Sequence, residues 1–546
     1  MYQVLSRIGR LNEIGIALSA ASDVDVLCDN ILAGAMELTS ADGGSLYQMS
    51  EDKLSLEFVI VSTHSLDIHM GGDSGREIKF PPIPLMINGL PNKSNVVSSA
   101  VHDEATINIP DVYRAEGFDF SGTRKFDQQT GYRTQSILTV PLKNHLNDII
   151  GVLQLINAKD ETSKKTREFT IADQQLAESL ASQAAVATTN NKLIEQQREL
   201  FEAFIKLIAS AIDEKSPYTG GHCKRVPELT MMIAEACHKI DSGALKYFKM
   251  TDKDRYELTI AGWLHDCGKV TTPEYVVDKA TKLETIYDRI NTVDTRFEVL
   301  KRDATIESLK QKLERITKDA SARLLDGALI DCSDIDESLQ QKTAQINADR
   351  DFIRSSNIGG EFMDENLQQR IKDIAEHRWL DPDGVNAKFF NDNEIENLSI
   401  TKGTLTQGER EIINNHMAAT IKMLAQLPFP EHLANVPEYA GGHHERMDGK
   451  GYPNGLTREQ MSLPARMMGI ADIFEALSAS DRPYKTGKPL TECLSILGLM
   501  KIDKHIDPDI FDVFVRDKVY LRYAKAFLAK NQIDEVIHAD IPGYED

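Results

Sequence analysis

The feature that most constrains the fold is a stretch without proline or glycine that runs from Phe169 to Asp213. Apolar residues recur along it at heptad-like spacing, at Leu193, Leu200, Phe204, Leu207 and Ala211. Because helix-breaking residues are absent from it, this stretch predicts one long helix, paired with its copy in a second chain through the apolar stripe. The alternative is a single amphipathic helix that packs on its own domain.

The region before this helix, residues 1 to about 160, alternates helix and strand patterns. Apolar residues on one face predict a helix over residues 23–39. Strand-like runs cover Ser45–Met49, Leu54–Thr63, Ser136–Lys143 and Asp148–Ala158. A short polar turn separates the last two, which predicts neighbouring antiparallel strands and an α+β domain with a central antiparallel sheet.

The region after the helix is mostly helical over residues 214–283 and 398–515, and a glycine-rich loop lies near 441–455. Between the two helical parts, 26 of the 70 residues from 281 to 350 are charged. The apolar residues among them follow heptad-like spacing, with one phase shift after the fifth: Ile286, Ile290, Val293, Phe297, Leu300, Ile306, Leu309, Leu313 and Ile316. This pattern predicts an inserted coiled-coil hairpin or helical bundle rather than a catalytic element.

Composition excludes several classes of protein. The formal net charge of −22 argues against nonspecific nucleic-acid binding, which needs a basic surface. No apolar run approaches the ~18 residues that span a bilayer, and the amino-terminal residues lack the apolar core of a signal peptide. The six cysteines are scattered without a CxxC pair, which indicates reduced thiols. We therefore expect a cytoplasmic protein that binds neither nucleic acid nor membrane.

The first candidate for chemistry is the pair His265-Asp266 in AGWLHDCGK, which follows the apolar helix positions Leu258, Ala261 and Leu264. A buried carboxylate is costly without a partner, and a divalent metal ion held by imidazole nitrogen and carboxylate oxygen would remove that cost. The alternative is a histidine at a helix end beside a capping aspartate.

The second candidate is GGHHERMDGKGYPNG, residues 441–455. His443 and His444 can present nitrogen atoms to one pocket, and Arg446, one turn from His443, is placed to hold a phosphate oxygen. A fixed loop shape is predicted from residues that allow positive φ angles or stiffen the end of the loop: Gly449, Gly451 and Pro453.

Taken in order, these motifs resemble those of the HD-GYP family, helical metal-dependent phosphodiesterases that hydrolyse cyclic di-GMP. The matching segments are SPYTGGHCKRV (216–226), LHDCGK (264–269), INNHMAATIKML (413–424), HHERMDGKGYPNG (443–455), MMGIADIFEALSASDRPY (467–484) and HIDPDIFDVF (505–514). The resemblance covers about 190 residues on the two sides of the charged insertion.

Carried over position by position, the resemblance implies metal ligands at His222, His265, Asp266, His416, His443, His444 and Asp472. Asp266 would bridge two divalent ions, for which iron and manganese are the most suitable metals. Lys269 and Arg446 would act on the scissile phosphate. Some members bind a third metal through a glutamate four residues before the first histidine, but Tyr218 stands at that position, so two metals are expected.

The insertion is a second departure from the family pattern. The family reaches its middle histidine soon after the His-Asp pair, whereas 150 positions separate Asp266 from His416. The insertion must therefore leave and rejoin the catalytic domain at nearby points, because His416 could not otherwise reach the metal site.

The resemblance implies hydrolysis of cyclic di-GMP to linear pGpG, and further cleavage to GMP is compatible with it. Two alternatives stay open. One is hydrolysis of another cyclic dinucleotide, such as 3′,3′-cyclic GMP-AMP. The other is a receptor that binds cyclic di-GMP without turnover.

Residues 15–160 resemble a GAF domain of the type found in cyclic-nucleotide phosphodiesterases and cyclases, through FDQQTGYRTQSILTVPLKN (126–144) and IIGVLQLINAKD (149–160). Part of the dispersed Asn-Lys-Phe-Asp-Glu signature of those domains is present, at Asn157, Lys159, Phe169 and Asp173. Lys159 is displaced by one position, and Gln174 replaces the glutamate. The resemblance implies binding of a cyclic nucleotide or another small ligand. One alternative is a GAF domain that only dimerises or senses something else, and the signature residues can also be interpreted as a salt-bridged lock between strand and helix.

We therefore predict a multidomain chain that forms a homodimer through its connecting helix. Its parts are an α+β GAF sensory domain (1–160), the connecting helix (161–213), an all-α HD-GYP catalytic domain in two pieces (214–283 and 398–515), a helical insertion (284–397) and a helical tail (516–546).

Overall fold

A computed structural model describes residues 2–20, 23–160, 162–215, 221–322, 330–360, 362–381, 383–480 and 487–545. The chain forms two compact units, Met1–Phe201 and Glu202–Asp546. The predicted long helix is confirmed and covers Ile171–Lys215. Within the described ranges, no helix combines the length and the apolar character that crossing a bilayer requires.

The first unit is an α+β domain, as predicted. Its helices are α1 (Tyr2–Ala20), α2 (Val24–Thr39), α3 (Val96–His102), α4 (Ser121–Thr130) and the start of α5 (Ile171–Lys215). Its strands are β1 (Ala41–Met49), β2 (Ser55–Thr63), β3 (Ile68–Gly71), β4 (Ile83–Pro84), β5 (Met86–Ile87), β6 (Leu90–Pro91), β7 (Ile107–Ile109), β8 (Ile137–Lys143), β9 (Ile149–Lys159) and β10 (Thr166–Arg167).

The main sheet of this unit is antiparallel and has the strand order β3-β2-β1-β9-β8-β7, with β4 beside β2 and β10 beside β9. The two strands predicted to be neighbours are β8 and β9, which pair with Leu138 opposite Leu155. Side chains alternate across the sheet, so successive residues of β1 enter different cores. Leu46 packs with Leu27 of α2 on one face, whereas Tyr47 packs with Val97 of α3 on the other.

The second unit is built mainly of helices. They are α6 (His222–His238), α7 (Asp252–Leu264), α8 (Glu274–Val277), α9 (Ile290–Ala322), α10 (Ser333–Asn357), α11 (Glu365–Ala375), α12 (Asp392–Leu398), α13 (Gln407–Leu424), α14 (Val436–Gly441), α15 (Leu463–Ser478), α16 (Leu490–Ile502), α17 (Pro508–Arg516) and α18 (Val519–Phe527). A small hairpin of β11 (Arg378–Leu380) and β12 (Asn386–Lys388) lies between α11 and α12.

The insertion forms the predicted helical hairpin, α9 against α10, with an apolar core of its own. Val293 and Phe297 are buried in this core together with Ile353 and Phe389. The predicted stripe is wrong at its first member, because Ile286 precedes α9 and is 97% exposed. The prediction that the second half of the α9 stripe continues this seam is also wrong, because its members are 45–66% exposed: Ile306, Leu309, Leu313 and Ile316. The phase shift turns these residues away from α10. In this half of the hairpin, α9 contacts α10 through ion pairs of Lys312 with Asp336 and of Arg315 with Asp334.

The two ends of the insertion lie next to each other, which is the condition for His416 to reach the metal site. Lys279 precedes the insertion, and its Nζ donates to Asn397 Oδ1 at 2.6 Å and to Glu409 Oε2 at 2.7 Å. Lys282 is fully buried, and its Nζ donates to the carbonyl oxygens of Leu398 at 3.0 Å and Ile400 at 2.7 Å. The two lysines therefore clamp the two ends of the insertion together.

We expect Lys282→Met to change how stability depends on pH. Burial disfavours the ammonium and lowers the pKa of Lys282 to about 8, from an ordinary 10.5. The unfolded chain then binds this proton more tightly than the folded chain, so wild-type stability rises as the pH goes from about 8 to about 10.5. The variant should lack this rise, which is at most about 1.4 kcal/mol per pH unit.

Denaturant titrations of both proteins across that pH range measure the difference. Lys253→Met, which removes an exposed lysine of α7, is the matched control and should keep the wild-type pH profile. Parallel profiles for wild type and Lys282→Met would contradict a shifted lysine at the clamp.

Candidate metal centre

The seven predicted ligands lie on or beside five helices of the second unit and converge on one site. Most of them lie at or next to a helix end: His222 begins α6, His265 and Asp266 follow α7, and His443 and His444 follow α14. His416 lies within α13 and Asp472 within α15. The structure gathers them into two groups, Asp266 with His416, His443 and His444, and His222 with His265 and Asp472.

Asp266 lies between the two groups and turns one oxygen toward each. Its Oδ1 is 3.3 Å from His416 Nε2 and 4.0 Å from His443 Nε2. Its Oδ2 is 3.2 Å from His222 Nε2 and 3.3 Å from His265 Nε2. This carboxylate, which is 1% exposed, is therefore placed to be shared between two cations.

The hydrogen bonds of the histidines tell which ring nitrogen carries the proton. In four of them Nδ1 contacts an oxygen that can only accept, so Nδ1 is the donor and Nε2 holds a lone pair. The acceptors are Glu475 Oε2 for His222 and the carbonyl oxygens of Gly262 for His265, Ile413 for His416 and Ala440 for His443.

The Nε2 atoms of these four histidines therefore converge on the centre. The Nε2 atoms of His222 and His265 are 3.3 Å apart. Within the described part of the chain, no hydrogen-bond partner reaches His416 Nε2, His443 Nε2 or Asp266 Oδ1, all of which are buried. Such groups are costly to bury unpaired, and a cation at each group would satisfy all of them. The residues present thus fit divalent metal ions.

Electrostatics at the centre keep the rings of His443 and His444 neutral and Asp266 ionised. At His222, burial would lower the pKa, but the carboxylates of Glu475, Asp266 and Asp472 outweigh it and hold this pKa well above the ordinary value. Burial, with the neighbouring histidines, lowers the pKa of His443 well below its ordinary value, and burial lowers the pKa of His444 to about 4. Burial alone would raise the pKa of Asp266, but Lys269 and His265 outweigh it and hold this pKa well below the ordinary value. Neutral imidazole and carboxylate oxygen are the ligands of borderline divalent metals.

The turn after the His-Asp pair docks directly on α13. Gly268 N donates to Thr420 Oγ1 at 2.9 Å, and a Cβ at Gly268 would lie 2.0 Å from the carbonyl oxygen of His416. Glycine is therefore required for this approach, which brings His416 to Asp266. In the same turn Lys269 Nζ lies 2.5 Å from Asp266 Oδ2, with 21% of its side chain exposed.

The loop 441–455 has the fixed shape that was predicted, although one glycine acts differently. Gly449 has a φ of 75°, as expected. Gly451 is needed for close packing instead, because a Cβ there would lie 2.4 Å from Arg446 N. The carboxylate of Glu445 closes the loop by accepting from the backbone of Asn454 at 2.7 Å and Leu456 at 2.9 Å.

Arg446 is held within this loop. Its Nε and Nη2 pair with Asp448 at 3.1 and 3.0 Å, and Nη2 also reaches the carbonyl oxygen of Asp503 at 3.2 Å. A phosphate contact by Arg446 would therefore use Nη1 or break the pair. Tyr218, at the position of a third-metal ligand, lies outside the described residues.

Two residues at the centre were not predicted from the sequence. The Tyr452 ring stacks on His444 with centroids 4.9 Å apart and an angle of 17°. Glu475, 1% exposed, contacts His222 Nδ1 at 2.5 Å. Glu475 follows Asp472 by three positions on α15, and that spacing places two carboxylates on one helix face.

In the first unit, the signature residues are engaged in internal contacts. Asn157 Oδ1 accepts from Gln135 N at 2.7 Å, and its Nδ2 donates to Arg133 O at 2.8 Å. Phe169 is buried in the main core. Asp173, 0% exposed, pairs with Arg167 at 2.6 Å. Lys159 pairs with Asp42. The Arg167–Asp173 pair joins a strand to α5, as the lock interpretation predicts, whereas the Lys159–Asp42 pair joins the neighbouring strands β9 and β1.

Comparison with known families identifies both regions. Residues 23–188 match the family model of the GAF domain, and residues 389–510 match that of the HD domain. The second match begins within the predicted insertion and includes His416, His443, His444 and Asp472. The chain therefore combines a GAF domain with an HD domain, which confirms the resemblance that the motifs indicated.

Curated relatives match about a fifth of the chain. A 3′3′-cGAMP-specific phosphodiesterase of Vibrio cholerae is 37% identical over 115 residues, 21% of this chain and 26% of the relative. A cyclic di-GMP phosphodiesterase of Pseudomonas aeruginosa is 40% identical over 114 residues, which are 21% of this chain and 26% of the relative. A cyclic di-GMP phosphodiesterase of Thermotoga maritima is 33% identical over 119 residues, which are 22% of this chain and 32% of the relative. The chain thus spans about a quarter to a third of the length of these relatives.

We expect Asp266→Ala to lose metal at both groups, because its two oxygens face both. Elemental analysis after loading with Mn²⁺ measures the metal content. Thermal unfolding with and without Mn²⁺ should show a metal-dependent rise in Tm for the wild type but not for Asp266→Ala. Asp349→Ala, which removes a buried aspartate of α10 paired with Arg370, is the matched control and should keep its metal. Full metal content in Asp266→Ala would contradict the bridging position.

Proposed function

We propose that this protein is a metal-dependent phosphodiesterase that opens cyclic di-GMP, with linear pGpG as the first product. The observation that carries the proposal is the convergence of histidine lone pairs around a buried carboxylate that lacks a donor at one oxygen. Relatives that match part of the chain are named as phosphodiesterases of cyclic dinucleotides, and their names supply the substrate class.

The donor set divides naturally between two divalent ions. One ion would be held by His222, His265, Asp472 and Oδ2 of Asp266, and the other by His416, His443, His444 and Oδ1 of Asp266. When bound, such ions lower the pKa of water and polarise a phosphoryl oxygen, which is the chemistry that phosphodiester hydrolysis needs. Iron and manganese suit a mixed histidine and carboxylate set.

Lys269 provides positive charge at the edge of the centre. Burial would lower its pKa, but the carboxylates of Asp266 and Asp472 raise it above the ordinary value, so the ammonium stays charged. Its Nζ is next to Asp266 Oδ2, and 21% of its side chain is exposed, so we assign it a hydrogen bond to an oxygen of a phosphate that approaches the carboxylate. Charge that develops on the phosphoryl group would be stabilised there.

The loop 441–455 forms a rigid side of the centre. The Tyr452 ring lies on His444 and restricts the orientation of that imidazole. Burial raises the pKa of Tyr452, so its phenol stays protonated at neutral pH. The Arg446–Asp448 pair braces the loop, and we assign Arg446 a contribution to phosphate binding through its remaining Nη1.

A second candidate substrate is 3′,3′-cyclic GMP-AMP. It is favoured by the relative from Vibrio cholerae, whose name specifies this dinucleotide. The test is to incubate the anaerobically Mn²⁺- or Fe²⁺-loaded protein with each dinucleotide separately and to resolve linear products and mononucleotides by chromatography. A metal-loaded protein that binds cyclic di-GMP but opens neither ring would instead be a receptor. We propose further that the GAF domain regulates turnover.

For Lys269→Ala we expect kcat to fall about 100-fold or more with unchanged metal content, because the lysine acts on phosphate and not on metal. Steady-state rates and elemental analysis of the same preparation test this. Lys253→Ala, at an exposed position of α7, is the control and should match the wild type. Loss of metal in Lys269→Ala would mean that the lysine supports the ligands.

We also propose a homodimer through α5. Its heptad positions are strongly exposed in the single chain, at 50% for Leu193, 57% for Leu200, 55% for Phe204 and 63% for Leu207. Such a stripe is the seam of a paired helix rather than the outer face of a lone one.

The double variant Leu200→Glu/Leu207→Glu should convert the dimer to a monomer, because it places charges in the apolar seam. Light scattering across a concentration series measures the mass. Lys192→Glu, on the outer face of the same helix, should leave the dimer intact. A monomeric wild type would contradict the paired helix.

A further inference from the structure

The ligand histidines differ in how their rings are oriented. His265, His416 and His443 each donate from Nδ1 to the carbonyl oxygen three residues earlier, a contact that their own helical segment supplies. This local bond fixes the tautomer with the Nε2 lone pair toward the centre. These three rings therefore need no partner from another helix.

His222 cannot form the same local hydrogen bond. It is the first residue of α6, so no carbonyl of its own helix lies three residues before it. Its Nδ1 instead contacts Glu475 Oε2 of α15 at 2.5 Å. The other oxygen of Glu475 accepts from Arg225 Nε at 2.7 Å and from Arg225 Nη2 at 2.6 Å. Arg225 follows His222 by three positions on α6.

We propose that Glu475 and Arg225 form a positioning pair that fixes the tautomer of His222. Arg225 occupies Oε1 with two donors and leaves Oε2 for His222 Nδ1–H, which turns the Nε2 lone pair toward His265 and Asp472. The inference rests on the proposed metal site and deepens it, because it names what prepares one of the two metal positions. Neither residue touches substrate or metal in this assignment.

A purely structural role would be a buried ion pair that braces α6 against α15. The two roles differ for Glu475→Gln. A glutamine offers one accepting oxygen, and the two donors of Arg225 compete with one donor of His222 for it. When that oxygen faces Arg225, the amide NH₂ faces His222 Nδ1 and favours the tautomer with hydrogen on Nε2. That tautomer cannot bind metal through Nε2.

The experiment is a Mn²⁺ binding isotherm on the full chain, followed by electron paramagnetic resonance of free Mn²⁺. The wild type should bind at two positions. We expect Glu475→Gln to weaken one position about 10- to 100-fold and to leave the other unchanged. Glu257→Gln is the matched control, because Glu257 is a buried glutamate of the same unit that binds Asn435. It should bind as the wild type does.

The double variant Glu475→Gln/Arg225→Met separates positioning from bracing. Without Arg225, the amide oxygen is free to turn to His222 Nδ1–H, so the weakened position should regain most of its Mn²⁺ affinity. A brace predicts the opposite, since the double variant removes more of the ion pair than the single one. Circular dichroism confirms that each variant is folded before binding is compared.

The outcomes for this pair and for the proposed function are distinct. Unchanged Mn²⁺ affinity in Glu475→Gln, or affinity in the double variant no better than in the single one, would overturn the positioning pair and leave the proposed activity intact. Two-position binding with the expected weakening and recovery, but no opening of any cyclic dinucleotide, would support the pair and overturn the proposed activity.

Discussion

The buried carboxylate of Asp266 sets the requirement that the second unit meets. Lys269 stands beside Oδ2, but the described residues offer no donor to Oδ1. A buried charged oxygen of this kind costs several kcal/mol unless a cation accompanies it. The surrounding helices could have offered donors, yet their histidines turn protonated Nδ1 atoms outward and lone pairs inward. Most ligands lie at helix ends for this reason. Several helices must bring a side chain to the two oxygens of Asp266, and a helix that ends there leaves room for the others.

The same requirement explains how the insertion is tolerated. His416 is useful only if α13 stands against the turn after the His-Asp pair, and that contact is made by Gly268 and Thr420, close in space but far apart in sequence. An insertion between them is harmless when its ends are tied at one point and its apolar residues have their own core. Lys279 and Lys282 tie the ends, and the core around Phe297 absorbs the apolar residues.

Sequence periodicity predicted the elements well and their partners poorly. Spacing along α9 correctly marked Val293 and Phe297 as buried, but it could not tell that the phase shift turns Ile306 to solvent, since that depends on the course of α10. The ligand set followed from motifs that a resemblance could supply. Glu475 belonged to the same motif as Asp472 and was passed over, because its partner lies on another helix. Only the fold reveals that His222 begins its helix and so has no carbonyl of the same helix three residues before it.

The GAF domain presents the converse case, in which signature residues are present and already occupied. Asp42 and Asp173 are 2% and 0% exposed, and Lys159 and Arg167 neutralise them. A ligand that took over Lys159 would leave the buried Asp42 with the hydroxyl donors of Ser65 and Tyr132 but without the ammonium. One that took over Arg167 would leave Asp173 to Arg7 and Thr170. Either change weakens a buried ion pair, and that cost is subtracted from the ligand's binding free energy. A regulatory ligand that leaves both pairs intact avoids that loss, so its contacts are best sought on other residues of the domain.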